Sequence, residues 1–290
     1  MVAKTDLAQA YEECRLVTRR EAKNFYYAFL TLPAAQRRAI YVAYAFCRYC
    51  DDSVDAQRTI GEKLRLLSDL RQKLDLMYQG GADGPVFVAL ADVAERYDIP
   101  QEYFQGVLSG VESDLTKHRF ENFEELRGYC YQVASVVGLI CLQIFGYLDP
   151  RAKGHAIDLG LAMQLTNIAR DVREDLELDR IYIPTAEIEQ FGYSEAELRA
   201  GVVNEPFLNL MRFQTQRARG YFQSGFQLLP YLSPRSRACP AVLGQLYSRV
   251  LDRIESADYD VLHHRINLSR IEKLRIMIQT WSASMLPRRP

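Results

Sequence analysis

Two stretches of the chain repeat a step that few folds can satisfy. In GLAMQLTNIARDVRED, Gly160 to Asp175, the residues Gln164, Asn167, Asp171 and Asp175 follow at intervals of three, four and four. That spacing puts four oxygen-bearing side chains along one stripe of an α-helix. The other faces carry Leu161, Ala162, Met163, Leu165, Ile168 and Ala169, which predicts a buried helix. A buried carboxylate without a partner is costly or gives up its charge, so something cationic must face these. In IYVAYAFCRYCDDSVD, Ile40 to Asp55, the residues Tyr44, Arg48, Asp51 and Asp55 form a second stripe, in a segment otherwise aromatic or aliphatic. Asp51 and Asp55 are one helical turn apart, as are Asp171 and Asp175. A single Asp pair at this spacing is most often a solvated face, but its repetition in two apolar helices argues against that. Two such helices facing each other enclose a space rimmed by four carboxylates. These are the hard oxygen ligands that Mg²⁺ takes in ones and twos, keeping waters and adding substrate phosphate oxygens.

The rest of the chain reads as helix, with no strand alternation or hairpin dipeptide. Helices are predicted over Asp6 to Arg20, Ala34 to Asp55, Ile60 to Tyr78, Pro85 to Tyr97, Gln101 to Ser113, Phe123 to Phe145, Arg151 to Asp175, Glu205 to Leu229, Arg235 to Ser256 and Leu268 to Ser284. Gly80-Gly81, Gly84-Pro85, Ile99-Pro100, Asp149-Pro150 and Leu229-Pro230 separate them. No repeat or linker divides the sequence, and residues 1–290 are read as one all-α domain. With 290 residues and a net charge of −1 the chain has ample core, and its dispersed basic residues give nucleic acid binding no electrostatic support. The N-terminus shows no secretory signal, so a cytoplasmic protein is expected. Cys14, Cys47, Cys50, Cys130, Cys141 and Cys239 are scattered through apolar contexts and read as core thiols; the Cys47/Cys50 pair has no second pair at zinc spacing. No run reaches the length of a membrane span, the nearest being Val133 to Phe145.

Other segments offer candidate functional side chains. The aromatic run KNFYYAFLTLP, Lys23 to Pro33, packs as core or walls a cavity whose ring faces attract a carbocation. Val133, Ala134, Val137 and Gly138 form a smooth face that permits either close helix packing or an apolar channel, with Tyr129 one turn earlier on the same side. Arg180 and Tyr182, just after the second Asp motif, are placed to reach a diphosphate or to pair at the surface. The C-terminal stretch adds Tyr259, Arg265, Arg270 and Lys273. His263 and His264 are adjacent and make a poor chelating pair.

Together FYYAF at Phe25, YAFCR at Tyr44, DDSVD at Asp51, YCYQVASVVG at Tyr129, LAMQLTNIARDVRED at Leu161 and DRIYIP at Asp179 resemble the squalene and phytoene synthase family, over nearly the whole chain. The resemblance implies the isoprenoid synthase fold, antiparallel helices around an apolar cavity. It implies that Asp51, Asp55, Asp171 and Asp175, with Asn167, hold two or three Mg²⁺ ions. Arg48, Gln164, Tyr44, Phe25 and Tyr259 would line or bind prenyl diphosphates, and Tyr129 would sit near the reacting carbons. Asn24 departs from the serine many relatives carry before the Phe. The implied reaction is a head-to-head condensation: one allylic diphosphate ionises, the double bond of a second attacks, and proton loss closes a cyclopropane. Tyr129 and the released diphosphate are both candidate bases. The sequence context looks most like bacterial presqualene diphosphate synthases acting on farnesyl diphosphate, with phytoene or dehydrosqualene synthase as the alternative. NADPH use is left open, since no dinucleotide fingerprint is present and squalene synthases of this fold bind it without one. A non-catalytic binding relative is disfavoured by the four intact carboxylates. Greasy substrates and products also imply transient membrane contact, at no particular stretch. Oligomeric state is not read from the sequence.

Overall fold

The computed structural model describes residues 6–54 and 57–285, and of Lys23, Asn24 and Met285 the backbone only. The helices are α1 (Leu7–Glu21), α2 (Lys23–Phe29), α3 (Ala34–Ser53), α4 (Ile60–Tyr78), α5 (Pro85–Arg96), α6 (Gln101–Thr116), α7 (Phe123–Cys130), α8 (Val136–Phe145), α9 (Ala152–Arg170), α10 (Val172–Glu177), α11 (Thr185–Gln190), α12 (Glu195–Arg199), α13 (Glu205–Gly225), α14 (Pro234–Ser256) and α15 (Arg270–Met285). No strand forms among the described residues, where Arg119 and Ile181 make one isolated parallel bridge. The fold class is all-α, as expected.

Six helix N-termini carry the capping chemistry their sequences announce. Asp6, Asn122, Ser194, Asn204 and Ser233 each accept a backbone N–H at an N-terminus, and Thr59 with Glu62 closes a reciprocal capping box. Buried apolar side chains from nearly every helix join in one contiguous cluster. Helix α9 lies at its centre, against α13, α8 and α14, and two glycines allow the approach. A Cβ on Gly160 would lie 2.7 Å from the Ser135 Cα, and one on Gly225 would lie 2.8 Å from the Leu159 Cα.

Three boundaries differ from expectation in ways that shape the site. The helix predicted to run unbroken to Asp175 stops at Arg170. Asp171 leaves helical geometry, at φ −100° and ψ 20°, and α10 restarts at Val172. The ladder nevertheless continues, Asp171 N–H to Asn167 O and Asp175 N–H to Asp171 O, both 2.8 Å, so the stripe is bent rather than lost. The predicted Phe123 to Phe145 helix is continuous but passes through a π-helical turn over Tyr131–Ser135. By length and composition that whole helix could cross a membrane, contrary to the reading of its apolar run as too short, but half of its most apolar window is buried against other helices. The aromatic run after α1, given no helix by its sequence, forms α2.

Candidate functional site

The predicted channel is present. A cavity of about 280 Å³ is enclosed by α2, α3, α8, α9, α14 and the π-helical turn, and its lining is overwhelmingly apolar. Phe25, Tyr44, Val133, Val137, Gly138, Gln164 and Asn167, all anticipated, face it. Both readings of the small-residue face hold at once, since a Cβ on Gly138 would lie 3.0 Å from the Ala156 carbonyl while its neighbours Val133 and Val137 line the hollow. Cys47, Cys141 and Cys239 also line the wall, and burial raises all three thiols well above the ordinary range, Cys141 to about 12. They stay protonated and add apolar surface.

The acidic groups meet around a residue the sequence reading passed over. Asp114, in the last turn of α6, accepts the Tyr129 phenol at 2.7 Å and lies 3.5 Å from the Tyr182 hydroxyl; Arg180 donates to its backbone carbonyl at 3.1 Å. Burial raises its carboxyl above the usual range, against the pull of Tyr129 and Arg180. Its charge in turn raises the carboxyls of both Asp51 and Asp175. Asp114 is therefore within electrostatic reach of both motifs. A signal was available: Val107, Val111 and Asp114 follow at helical spacing, and the two valines are buried, so a carboxylate shares the buried face.

Asp51 stands at the rim, open to solvent on one side. The protein behind it raises its carboxyl to about 6, with Arg48 pulling the other way and Asp114 and Asp52 adding to the rise. Asp175, half-buried, is raised to about 7, first by burial and then by the Asp171 charge, while Arg180 offsets part. Asp171 is gripped by the neighbouring Arg170 through two hydrogen bonds, 2.7 and 2.6 Å. The cation expected to face the carboxylates is thus partly supplied by the motif itself. Arg48 turns to Asp52 at 2.7 Å, and its buried Nε has no hydrogen-bond partner among the described residues. Asp55 lies outside the described residues, as does the side chain of Asn24.

Beside Arg170 a second small hollow is lined by Phe25, Tyr247 and Lys273 among others. Burial, and then the charges of the nearby Arg170 and Arg270, lower the Lys273 amine. Arg170 and Tyr247 were not singled out from the sequence. Tyr182 and Tyr129 stack at 5.3 Å, and Phe120 closes the aromatic trio at 5.3 Å from Tyr129 and 5.8 Å from Tyr182. Tyr259 packs under Arg212 of α13 at 5.4 Å, where Asp258 and Tyr259 take left-handed backbone conformations just after α14, and Arg265 of the same loop pairs with Glu174 beside Asp175 at 3.5 Å. His263 and His264 both turn to Asp260.

The donors suit Mg²⁺. Asn167 gives its amide N–H to Gln164 Oε1 at 3.2 Å, and its buried Oδ1 has no partner among the described residues. An orphaned amide oxygen beside carboxylates that resist ionising is what a hard cation would relieve. No group of three or more His, Cys, Asp or Glu among the described residues is closed enough to hold a metal unaided.

A family model described as squalene/phytoene synthase matches residues 18–272. The chain is 36% identical over 284 residues to a 15-cis-phytoene synthase of Synechococcus elongatus, covering 94% of this chain and 92% of that one. It is 34% identical over 284 residues to a phytoene synthase of Mycobacterium tuberculosis, covering 97% and 93%. Among solved structures, a dehydrosqualene synthase in complex with ligand superposes with a TM-score of 0.87 at 28% identity, covering 96% of this chain and 97% of that chain. A squalene synthase of Alicyclobacillus acidocaldarius gives 0.84 at 30% identity, covering 89% and 97%.

Proposed function

The chain belongs to the squalene and phytoene synthase family, the head-to-head prenyltransferases, and from that premise we propose that it joins two molecules of geranylgeranyl diphosphate into phytoene. The observation that carries the head-to-head reading is that Gln164 and Asn167, on the stripe that leads to Asp171 and Asp175, line an apolar cavity, while one buried carboxylate, Asp114, raises the carboxyls of both Asp51 and Asp175. The C40 product is favoured over presqualene diphosphate because the curated relatives matched at 34–36% identity over more than nine-tenths of the chain are named phytoene synthases.

Asp51, Asp171, Asp175 and Asn167, with Asp55 by its place in the motif, would hold Mg²⁺. Bound there, the ions would supply positive charge to the leaving diphosphate. Arg170, Lys273 and Arg180 bring further cations to the same anion. The cavity wall keeps water from the allylic cation, and the Phe25, Phe29 and Tyr44 rings face it. The C2=C3 double bond of the second substrate attacks C1 of that cation, and loss of a proton closes a cyclopropane. Burial and the Asp114 charge push the Tyr129 phenol far above its ordinary range, so it stays protonated and donates to Asp114. It is therefore a positioning donor, and the released diphosphate is the better base. The second ionisation, ring opening and loss of another proton give phytoene with no reductant consumed, so no NADPH is needed.

Purified protein incubated with Mg²⁺ and either geranylgeranyl or farnesyl diphosphate, without NADPH, tests this by product identification. Phytoene from the C20 substrate is expected. A cyclopropyl C30 diphosphate, formed in preference from farnesyl diphosphate, would overturn the chain-length reading in favour of presqualene diphosphate synthesis.

A further inference from the structure

Helix α15 is apolar on two faces, and only one of them is covered. Met277 and Ile276 pack inward on the core. Ile271, Leu274, Ile278 and Trp281 are exposed at 80%, 51%, 54% and 44%. At 3.6 residues per turn these four fall within an arc of about 80°. The stripe continues into a groove of about 520 Å³ that Trp281 and Ile278 form with Tyr27 and Leu30 beside α2 and with Arg235 of α14. Isolated exposed apolar side chains need no explanation, but a contiguous strip of this kind does.

The charges around the strip are of one sign. Arg270 and Arg275 fall at its two edges on α15, and Arg235 lines the groove. The one carboxylate of α15, Glu272, is turned to Arg253 of α14. No described carboxylate pairs with Arg235 or Arg275, and none lines the groove. Trp and Tyr beside aliphatic side chains, edged by arginine, form the surface that seats at the headgroup level of an anionic bilayer.

The position of the strip relative to the reaction cavity gives it a use. Helix α2, seven residues long, is the wall between them: Phe25 and Phe29 face the inner cavity, while Tyr27 and Leu30 face the groove. Helix α14 borders both spaces as well, through Cys239 and Leu243 inside and Arg235 outside.

We propose that the α2–α15 face is a docking surface for anionic phospholipid bilayers, which sets the α2 wall of the cavity against lipid. Release of a hydrocarbon product past α2 into the bilayer rests on the function proposed above; the docking itself does not.

Trp281 is the chain's single tryptophan, so its fluorescence reports this face alone. The full chain is titrated, without substrate, with vesicles of phosphatidylcholine and phosphatidylglycerol, and with phosphatidylcholine alone. A blue shift with the anionic vesicles, quenching by brominated acyl chains, and weakening by salt are expected. Arg235→Gln and Arg275→Gln should each lower the partition coefficient about fivefold, and Leu274→Ser with Ile278→Ser about tenfold. Leu76→Ser, at an exposed position on α4, should leave it unchanged. Co-sedimentation with anionic vesicles without a change at Trp281, or no binding at all, would overturn the proposal. So would a concentration-dependent dimer that shields Trp281 without lipid, which would assign the face to a second copy of the chain. Because no step needs turnover, failure here leaves the proposed reaction standing, and an inactive enzyme that still docks leaves this proposal standing.

Discussion

The Tyr129 phenol lies 2.7 Å from the Asp114 carboxylate, and that single hydrogen bond ties α7 to a group whose charge acts on both aspartate motifs. Tyr182 stacks on the same ring, and Arg180 holds the Asp114 backbone. The three side chains that follow or precede the motifs in sequence are thereby fixed by a residue belonging to neither. Replacing Asp114 with Asn keeps an acceptor for Tyr129 and removes the charge. Loss of a charge-assisted hydrogen bond should lower kcat about tenfold to a hundredfold. Asp51 and Asp175 then ionise more readily, so the acid limb of the pH–rate profile should move to lower pH. A purely structural role would leave that limb in place.

The raised carboxyls make the metal-free protein sensitive to pH in an unusual direction. Asp175 near 7 and Asp51 near 6 lie above the ordinary value of 3.8. Between about pH 4 and 7 the folded chain therefore keeps protons that the unfolded chain has released, and this contribution to stability falls as pH rises through that window. Thermal denaturation without metal should show Tm declining toward neutral pH from these groups and flattening above about 7. Asp175→Asn should remove part of the decline.

Mg²⁺ bound as proposed would have to displace those protons. Its stabilisation of the fold should be small at pH 5 and grow until about pH 7.5, and calorimetry should find protons released on binding. Equal Mg²⁺ affinity across that range would contradict the assignment of Asp51 and Asp175 to the metal.

Gly160 is where α9 crosses the π-helical turn. Gly160→Ala would bring a Cβ within 2.7 Å of the Ser135 Cα, a backbone atom that cannot swing aside. A loss of about 1–3 kcal/mol is expected from chemical denaturation, with a change in product distribution, since the turn carries Val133 and Ala134 of the cavity wall.

Much of this was legible because periodicity constrains helices strongly. The stripes at Tyr44–Asp51 and Gln164–Asp175 and the helical class follow from spacing and apolar content alone, whereas spacing left the smooth Val133–Gly138 face open between close packing and a channel. The break at Asp171 was not, because the same i to i+4 spacing describes a straight helix and a bent one. Asp114 has no second carboxylate three or four residues away to make a stripe, Glu102 and Glu112 of the same helix lying at other spacings, and its role appears only when α6, α7 and Arg180 meet. Tyr259 was carried over by resemblance alone, and its place under Arg212, reached through two successive left-handed non-glycine residues, is not a feature that spacing reveals. The exposed stripe of α15 was hidden for the opposite reason: apolar residues on both faces of a helix read simply as core.

The central claim is that the two aspartate motifs act as one Mg²⁺-dependent site on a prenyl diphosphate. Pyrophosphate release from geranylgeranyl diphosphate, measured in the wild type, Asp51→Asn, Asp175→Asn and the double variant, tests it most directly. Release that requires Mg²⁺, falls about a hundredfold or more in each single variant, and falls little further in the double is predicted, since groups acting as a unit are not additive. Wild-type release in either single variant, with the fold intact by circular dichroism, would contradict it.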